Sequence, residues 1–423
     1  MASKKLFYIL IILVSFSVRA SFILLPMDET TQQNHLKAYG ITYWCIEKKY
    51  KASWLLNYRG GSFLFPDAPD IRKECQIRGV SFEVLSDSET NQILDEISSP
   101  SQNMETVVLE KAPKIAVYTP KGKQPWDDAV TLVLTYAEIP FTPIYDEEVL
   151  SDQLLLYDWL HLHHEDFTGQ YGKFYGSNRN SPWYMDQKAA AETLTTKLGY
   201  KKVSEEKGAV AKKIRDFVIG GGFMFAMCSA TDSFDIALAA QNTDICEPMF
   251  DGDASEPNYQ SKLEYSNSFA FKDFILEKQP MKYEFSDIDT TEEHGKGSFS
   301  MEVDYFTLMD FSAKWDPIPS MLCQNHTQIV KGFMGQTTAF LTDKIKANVL
   351  LMGECKINGE ARYIHGTKGK GMFTYYGGHD PEDYQHRVGD APTVLDLHPN
   401  SPGYRLILNN VLFPAARKKK LKT

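Results

Sequence analysis

The chain changes rhythm a little past its hundredth residue. From Lys114 onward, short and nearly unbroken apolar runs alternate with stretches of helical period. Ile115-Ala-Val-Tyr118 predicts a short buried strand, Trp126 to Tyr136 repeats apolar residues at helical spacing, and Phe141 to Tyr145 predicts a second strand. Leu154 to Leu162 predicts a third strand, Lys207 to Ile219 an amphipathic helix, and Gly222 to Met227 a fourth strand with no polar face. Strands that alternate with helices and lack a polar face indicate a parallel sheet covered on both sides. Such sheets place their sites at the carboxyl ends of the strands.

The flanks read differently. His35 to Lys48 and Ala52 to Leu56 carry β-type runs, Ser81 to Leu85 alternates like a strand, and Glu89 to Ile97 has a short helical period. Ser98-Ser-Pro-Ser-Gln-Asn103 has the composition of a linker, so residues 21–110 predict a small α+β domain. Between Phe250 and His326 the pattern breaks into acid- and aromatic-rich pieces, which predict a β-rich insertion over 251–340. Asn348 to Gly353, Ala361 to His365 and Gly371 to Tyr376 return as strands, and Gly403 to Phe413 as a closing helix. The α/β domain therefore occupies 111–250 and 341–416, with a basic tail at 417–423.

Residues 1–20 have the form of a secretory signal: Lys4 and Lys5, an apolar stretch from Leu6 to Val18, and Val-Arg-Ala before a cut after Ala20. The expectation is an exported protein, periplasmic or extracellular. Loss of Lys4, Lys5 and Arg19 takes the net charge from −10 to −13, against a cationic nucleic-acid face. No later apolar run is long enough to span a membrane. The six cysteines, Cys45, Cys75, Cys228, Cys246, Cys323 and Cys355, are too sparse for a disulfide scaffold, lack zinc-finger spacing, and leave room for one or two bridges.

Three segments carry chemistry. In Gly220-Gly221-Gly222-Phe-Met-Phe-Ala-Met227-Cys228-Ser229-Ala230-Thr-Asp232, a buried strand runs directly into small residues. That allows a sharp strand-to-helix turn with Cys228 at its apex and a helix N-terminus favouring the thiolate. The same position suits a buried cysteine acting as a small apolar side chain. In Tyr375-Tyr376-Gly377-Gly378-His379-Asp380-Pro-Glu382-Asp383, a strand presents His379 behind a glycine pair, with Asp380 or Glu382 to orient the imidazole. Backbone N–H groups near Gly221, Gly222 and Ser229 are candidates for an oxyanion hole. The third segment, Trp159-Leu-His161-Leu-His163-His164-Glu165-Asp166, ends the third predicted strand. It is expected to line the pocket with Asp232 and Gly378, and His163, His164, Glu165 and Asp232 are candidate ligands for a divalent metal.

Gly-Gly-Gly-Phe followed by Ser-Ala-Thr-Asp-Ser-Phe, the late Tyr-Gly-Gly-His-Asp-Pro, and Gly-Tyr-Arg-Leu-Ile-Leu-Asn-Asn-Val-Leu resemble the ThuA-like family of the class I glutamine amidotransferase-like superfamily. The resemblance covers roughly 114–250 and 340–416. It implies a flavodoxin-like doubly wound parallel sheet and an amide or carbohydrate-derived small molecule as ligand. ThuA-like proteins usually carry His where this chain has Cys228, the residue of the amidotransferase elbow. The amidotransferase Gly-x-Cys-x-Gly-x-Gln becomes Ala226-Met-Cys228-Ser-Ala230-Thr-Asp232, and its His-x-Glu becomes His379-Asp-Pro-Glu382. Two expectations follow: a hydrolase with Cys228, His379 and an acid, or a non-catalytic binder of a sugar or partner in the same cleft. Leu36-Lys-Ala-Tyr-Gly-Ile-Thr-Tyr-Trp44 and Trp54 to Phe63 are also similar to exported Bacteroidetes proteins labelled asparagine synthetase B. That chemistry would require an N-terminal cysteine and a Ser-Gly-Gly-x-Asp-Ser loop, and neither is in the sequence. Lesser features are the sequon Asn325-His-Thr, the acids between Phe250 and Glu293 as solvated loops, and Lys121-Gly-Lys123 as a weak anion cradle.

Overall fold

The structure, a computed structural model, describes residues 21–416 except 123, 297–299, 301, 324–326 and 386. The signal-like segment, the basic tail, the sequon at Asn325 and the second lysine of the anion cradle lie outside the described residues. Lys121 itself pairs with Glu147 and Glu148.

Strands β1 (Ser21–Leu25), β2 (Ala52–Leu56), β3 (Ser62–Pro66), β4 (Glu83–Ser86) and β5 (Glu105–Leu109) form an antiparallel sheet in the order β4-β1-β3-β2-β5. Helices Pro69–Arg78 and Asp87–Ser98 complete a small α+β unit. The β-type run expected at His35 to Lys48 is instead the helix His35–Glu47, whose Asn34 cap accepts from the Lys37 N–H at 2.9 Å. A helix apolar all round reads as a strand by composition, and this one is buried on nearly every side. It packs on the first sheet and on helices Ala129–Tyr136 and Pro402–Leu412 of the next layer, sharing one core with both. Gly40 permits that approach, because a Cβ there would lie 1.8 Å from the Ala137 carbonyl oxygen.

The second sheet contains β6 (Ile115–Tyr118), β7 (Thr142–Ile144), β8 (Trp159–Leu162), β9 (Phe223–Met227), β10 (Tyr305–Leu308), β11 (Ile329–Lys331), β12 (Phe340–Leu341), β13 (Leu350–Cys355), β14 (Glu360–Lys368) and β15 (Gly371–Tyr376). The run β7-β6-β8-β9-β15 is parallel, and β14, β13, β10 and β11 extend it antiparallel. Alternation puts Val117, Phe225 and Met227 against helices Ala129–Tyr136 and Pro402–Leu412. Tyr118, Met224 and Ala226 face the side covered by helices Val203–Gly220 and Ser229–Ala239. The sheet is thus covered on both faces, as its unbroken apolar strands require.

Two expectations are corrected. The third parallel strand is only Trp159–Leu162, because Gln153–Leu156 form a 3-10 turn that leaves Leu155 and Leu156 exposed. Residues 251–340 do not build a β subdomain of their own. Strands β10 and β11 join the main sheet, and much of 252–290 is turns and isolated bridges. Its aromatics Phe269, Phe271, Phe274 and Phe285 pack into the α/β core instead. Asp235 pins this segment by accepting from the N–H groups of Phe269, Ala270 and Phe271 at 2.7 to 2.9 Å.

Candidate active site

β9 ends at Met227, and Cys228 turns the chain directly into helix Ser229–Ala239 with φ +51° and ψ −141°. A non-glycine residue at such angles is strained and persists only where its surroundings hold it. The hold is visible. The Ala230 N–H donates to the His163 carbonyl at 2.9 Å, and the Thr231 N–H and hydroxyl donate to the Cys228 carbonyl at 3.2 and 2.7 Å. The Ser233 hydroxyl donates to the Glu165 carbonyl at 3.1 Å. The sharp turn expected from the small residues is present, with the thiol beside the first turn of a helix.

His379 arrives from the end of β15. Gly378 sits at φ +93° with the Phe333 ring where a side chain would be, and the His379 N–H donates to Met334 O at 2.8 Å. This close packing of loop 333–338 on the glycine pair delivers the Gln336 N–H to the Cys228 sulfur at 3.2 Å. The Gln336 amide is itself anchored on the carbonyls of Gly172 and Tyr283, at 2.5 and 3.1 Å. Cys228 acts on His379 electrostatically, and the ring's Nε2 lies 3.1 Å from Asp127 Oδ1, so Nδ1 is the nitrogen left for the thiol. Burial draws the imidazole pKa down, but Asp127 and Cys228 outweigh it and hold the ring at about 10.

The acid is therefore Asp127, which the sequence pattern did not single out. Asp380 accepts from Tyr404 Oη at 2.7 Å and from the Glu382 N–H at 2.8 Å, while Glu382 pairs with His398 at 3.2 Å. Neither side chain is placed to orient His379. The usable signal was the position of Trp126-Asp127-Asp128, just past the carboxyl end of the first parallel strand and directly ahead of a helix. Asp128 caps that helix through the Thr131 N–H at 2.8 Å and turns its second oxygen to His161 Nε2 at 3.1 Å and His163 Nδ1 at 3.3 Å.

Gly221 and Gly222 are displaced from their expected role. They precede β9, whereas Cys228 follows it, so a five-residue strand of about 16 Å separates them from the sulfur. The N–H of Gly222 is used within its own turn, on Phe217 O at 3.0 Å. Ser229 does lie at the elbow, as the first residue of the helix. The N–H facing the sulfur is that of Gln336, a residue too far along the chain for local pattern to find.

His163, His164 and His379 meet as three nearly stacked rings, with centroids 4.2, 4.5 and 5.1 Å apart. Burial pushes His163 down to about 4, so it is neutral at ordinary pH. The candidate ligands Glu165 and Asp232 are not in this group. Glu165 accepts from the His163 N–H at 3.3 Å, and burial pushes it up to about 8. Asp232 accepts from Thr337 Oγ1 at 2.9 Å, and burial raises it to about 7.

His164, Glu165 and Asp166 line a cavity of about 610 Å³ with Trp126, Phe174 and Trp183. The three aromatic rings pack on one another at 5.1 to 5.4 Å. Cys228, His379, Asp232 and Gly378 are not among the lining residues. Trp126 and His164 line the cavity in edge contact at 5.3 Å, and His164 stacks on His379 at 5.1 Å. All six cysteines are free, so the bridges left open by the sequence are not formed.

No family model and no curated protein matches the chain. Two Salmonella typhimurium proteins, each described as a cytoplasmic protein, align with 72% of this chain and 100% of their own. Their identities are 10% and 12%, with TM-scores of 0.34 and 0.36. A β-galactosidase from Bacillus circulans sp. alkalophilus aligns with 72% of this chain and 32% of its own, at 11% identity and a TM-score of 0.26. Both neighbours are described as cytoplasmic, which does not agree with the expectation of export after Ala20, and that expectation is not carried forward. Similarities this distant assign the chain no compartment or activity of their own. No helix among the described residues is long and apolar enough to cross a membrane.

Proposed function

We propose that the chain is a thiol-dependent hydrolase of the glutamine amidotransferase-like kind, acting on an amide or carbohydrate-derived small molecule. The observation that carries this reading is the strained Cys228 elbow held against the His379–Asp127 pair. The parallel order β7-β6-β8-β9-β15, second-first-third-fourth-fifth along the chain, supports a flavodoxin-like sheet with the site at its carboxyl edge. The ThuA-like resemblance of the surrounding motifs points the same way.

In this reading the Cys228 thiolate attacks the substrate carbonyl carbon, forming the C–S bond as the carbonyl π pair moves to oxygen. His379 gives its proton to the leaving amine or alcohol as that bond breaks. Water then attacks the thioester, with His379 taking its proton and Cys228 leaving as thiolate. Asp127 holds the imidazole and stabilises its cationic form. The N–H of Gln336, which faces the sulfur, and that of Ser229, the first residue of the helix, are the candidate oxyanion donors, since the N–H groups of Ala230 and Thr231 are taken by backbone carbonyls.

A second reading, a binding protein that uses the aromatic cavity, is favoured by one observation: the cavity wall contains neither Cys228 nor His379. Limiting alkylation with iodoacetamide near neutral pH, mapped by peptide mass spectrometry, separates the two. Burial raises the pKa values of Cys45, Cys75, Cys246 and Cys323. The hydrolase reading expects Cys228 to react at least about tenfold faster than these four, because only Cys228 has an imidazole partner. Slow labelling of Cys228, indistinguishable from the other four, would leave the binding reading in its place.

A further inference from the structure

The hydrolase reading uses one of the three clustered histidines and leaves the other two unexplained. His163 is fully buried, and its Nε2 has no hydrogen-bond partner among the described residues. Its Nδ1 is directed to Asp128, 3.3 Å away. A buried ring nitrogen without a partner costs about 1–3 kcal/mol, so its retention calls for a ligand. One ring nitrogen of each of His163, His164 and His379 lies within 4.8 Å of one on each of the others.

The groups behind these rings have the form that metal sites use. A ligating histidine normally gives its second nitrogen to a carboxylate, which fixes tautomer and orientation. Asp128 stands behind His163 in that way, at 3.3 Å, and Asp127 behind His379, at 3.1 Å. Zinc–nitrogen bonds of about 2.0–2.1 Å in a tetrahedral shell put the nitrogens about 3.3 Å apart, so the group need close by at most roughly 1.5 Å. His164 is the ring best able to move: it is only partly buried and borders the cavity. Three imidazoles with an open fourth position, His379 giving up its Nδ1 proton as the metal binds, suit zinc, cobalt or nickel rather than magnesium or calcium, which prefer oxygen.

We infer that His163, His164 and His379 form a binding site for a divalent transition metal, and that the metal competes with Cys228 for His379. With Nε2 of His379 on Asp127, only Nδ1 can serve either the thiol or the metal. The two states exclude each other: His379 is either the base for Cys228 or a ligand. A zinc-loaded chain is then an inhibited thiol enzyme. The inference rests on the hydrolase reading only in naming the consequence; binding itself does not require catalysis.

The test uses the full chain purified without an affinity tag, stripped with chelator and titrated with zinc chloride by calorimetry, with cobalt(II) absorption reporting coordination geometry. One equivalent is expected to bind, with tetrahedral cobalt bands, and His164→Gln should weaken binding at least about tenfold. Binding should persist in Cys228→Ser, which keeps the three imidazoles. Zinc should slow iodoacetamide labelling of Cys228 at least about tenfold in the parent chain and leave it unchanged in His164→Gln. Absence of stoichiometric binding to the parent chain, or equal binding by His164→Gln, overturns the site. Binding without protection of Cys228 overturns the competition. Failure to find hydrolysis of any amide leaves the binding result standing, so the two readings fail separately.

Discussion

The Cys228 elbow makes a prediction whose sign opposes ordinary protein behaviour. At an unstrained buried position, glycine is less stable than alanine by about 0.5–1 kcal/mol of backbone entropy. The alanine methyl adds about 0.8 kcal/mol of burial. Position 228 lies at φ +51° and ψ −141°, far from the left-handed helical ψ near +47° that other residues tolerate. A Cβ held there costs up to about 3 kcal/mol. Cys228→Ala keeps that Cβ and its strain; Cys228→Gly removes both. Both lose the sulfur and its contacts with Gln336 and His379, so these cancel in the comparison. Taking strain relief of about 2–3 kcal/mol against the two disadvantages, the glycine variant should be more stable than alanine by about 1 kcal/mol. Urea unfolding of both variants, with equal slopes required, gives the difference from the midpoints. An alanine variant equal to or more stable than glycine would refute the strained elbow and remove the strongest support for the nucleophile.

Two further predictions concern buried groups away from Cys228 and His379. Lys207 is buried with its ammonium on Asp146, at 2.7 and 2.9 Å, and on the hydroxyls of Tyr118 and Tyr145. Lys207→Met strands the Asp146 carboxylate and should cost about 3–5 kcal/mol, part of it recovered by Asp146→Asn, as urea unfolding of single and double variants would show. His365 is buried beside Phe223 and Phe413, and burial pushes its pKa down to about 4. The unfolded chain binds its proton near 6.5, so this contribution is complete above that pH and is lost as pH falls towards 4. The loss is on the order of 3 kcal/mol, and His365→Gln should flatten that part of the stability–pH curve.

The parallel core was legible because its signal is local. Strands buried on both faces are apolar without interruption, and β6, β9 and β15 sit where such runs occur. The helix His35–Glu47 was not legible, because a helix buried on nearly every side shows no polar stripe and its aromatic and β-branched residues imitate a strand. The segment after Phe250 misled for a related reason. Its apolar residues answer to the α/β core, and its backbone is held by Asp235, so period within the segment carries little information.

In the site, Cys228 and His379 could be found because each ends a strand beside small residues that free the approach. Asp127 could not be found by the same rule, since proximity along the chain favoured Asp380 and Glu382. Those acids are fixed elsewhere: Asp380 accepts from the Tyr404 hydroxyl of the closing helix and from the Glu382 N–H within its own turn, and Glu382 reaches His398. The acid that faces the imidazole comes 252 residues earlier, brought in because β6 and β15 end at the same edge of one sheet. This assigns different outcomes to three single variants in chelator-treated protein. Asp127→Asn removes a charge-assisted bond worth about 1.5–3 kcal/mol, so Cys228 alkylation should slow by about 10- to 150-fold. Glu382→Gln should leave the rate within about twofold, and Asp380→Asn should lower the urea midpoint through the Tyr404 bond while sparing the rate. A rate lost with Glu382 and kept with Asp127→Asn would mean that the acid nearest in sequence orients the imidazole after all, and that the sheet edge does not assemble the site.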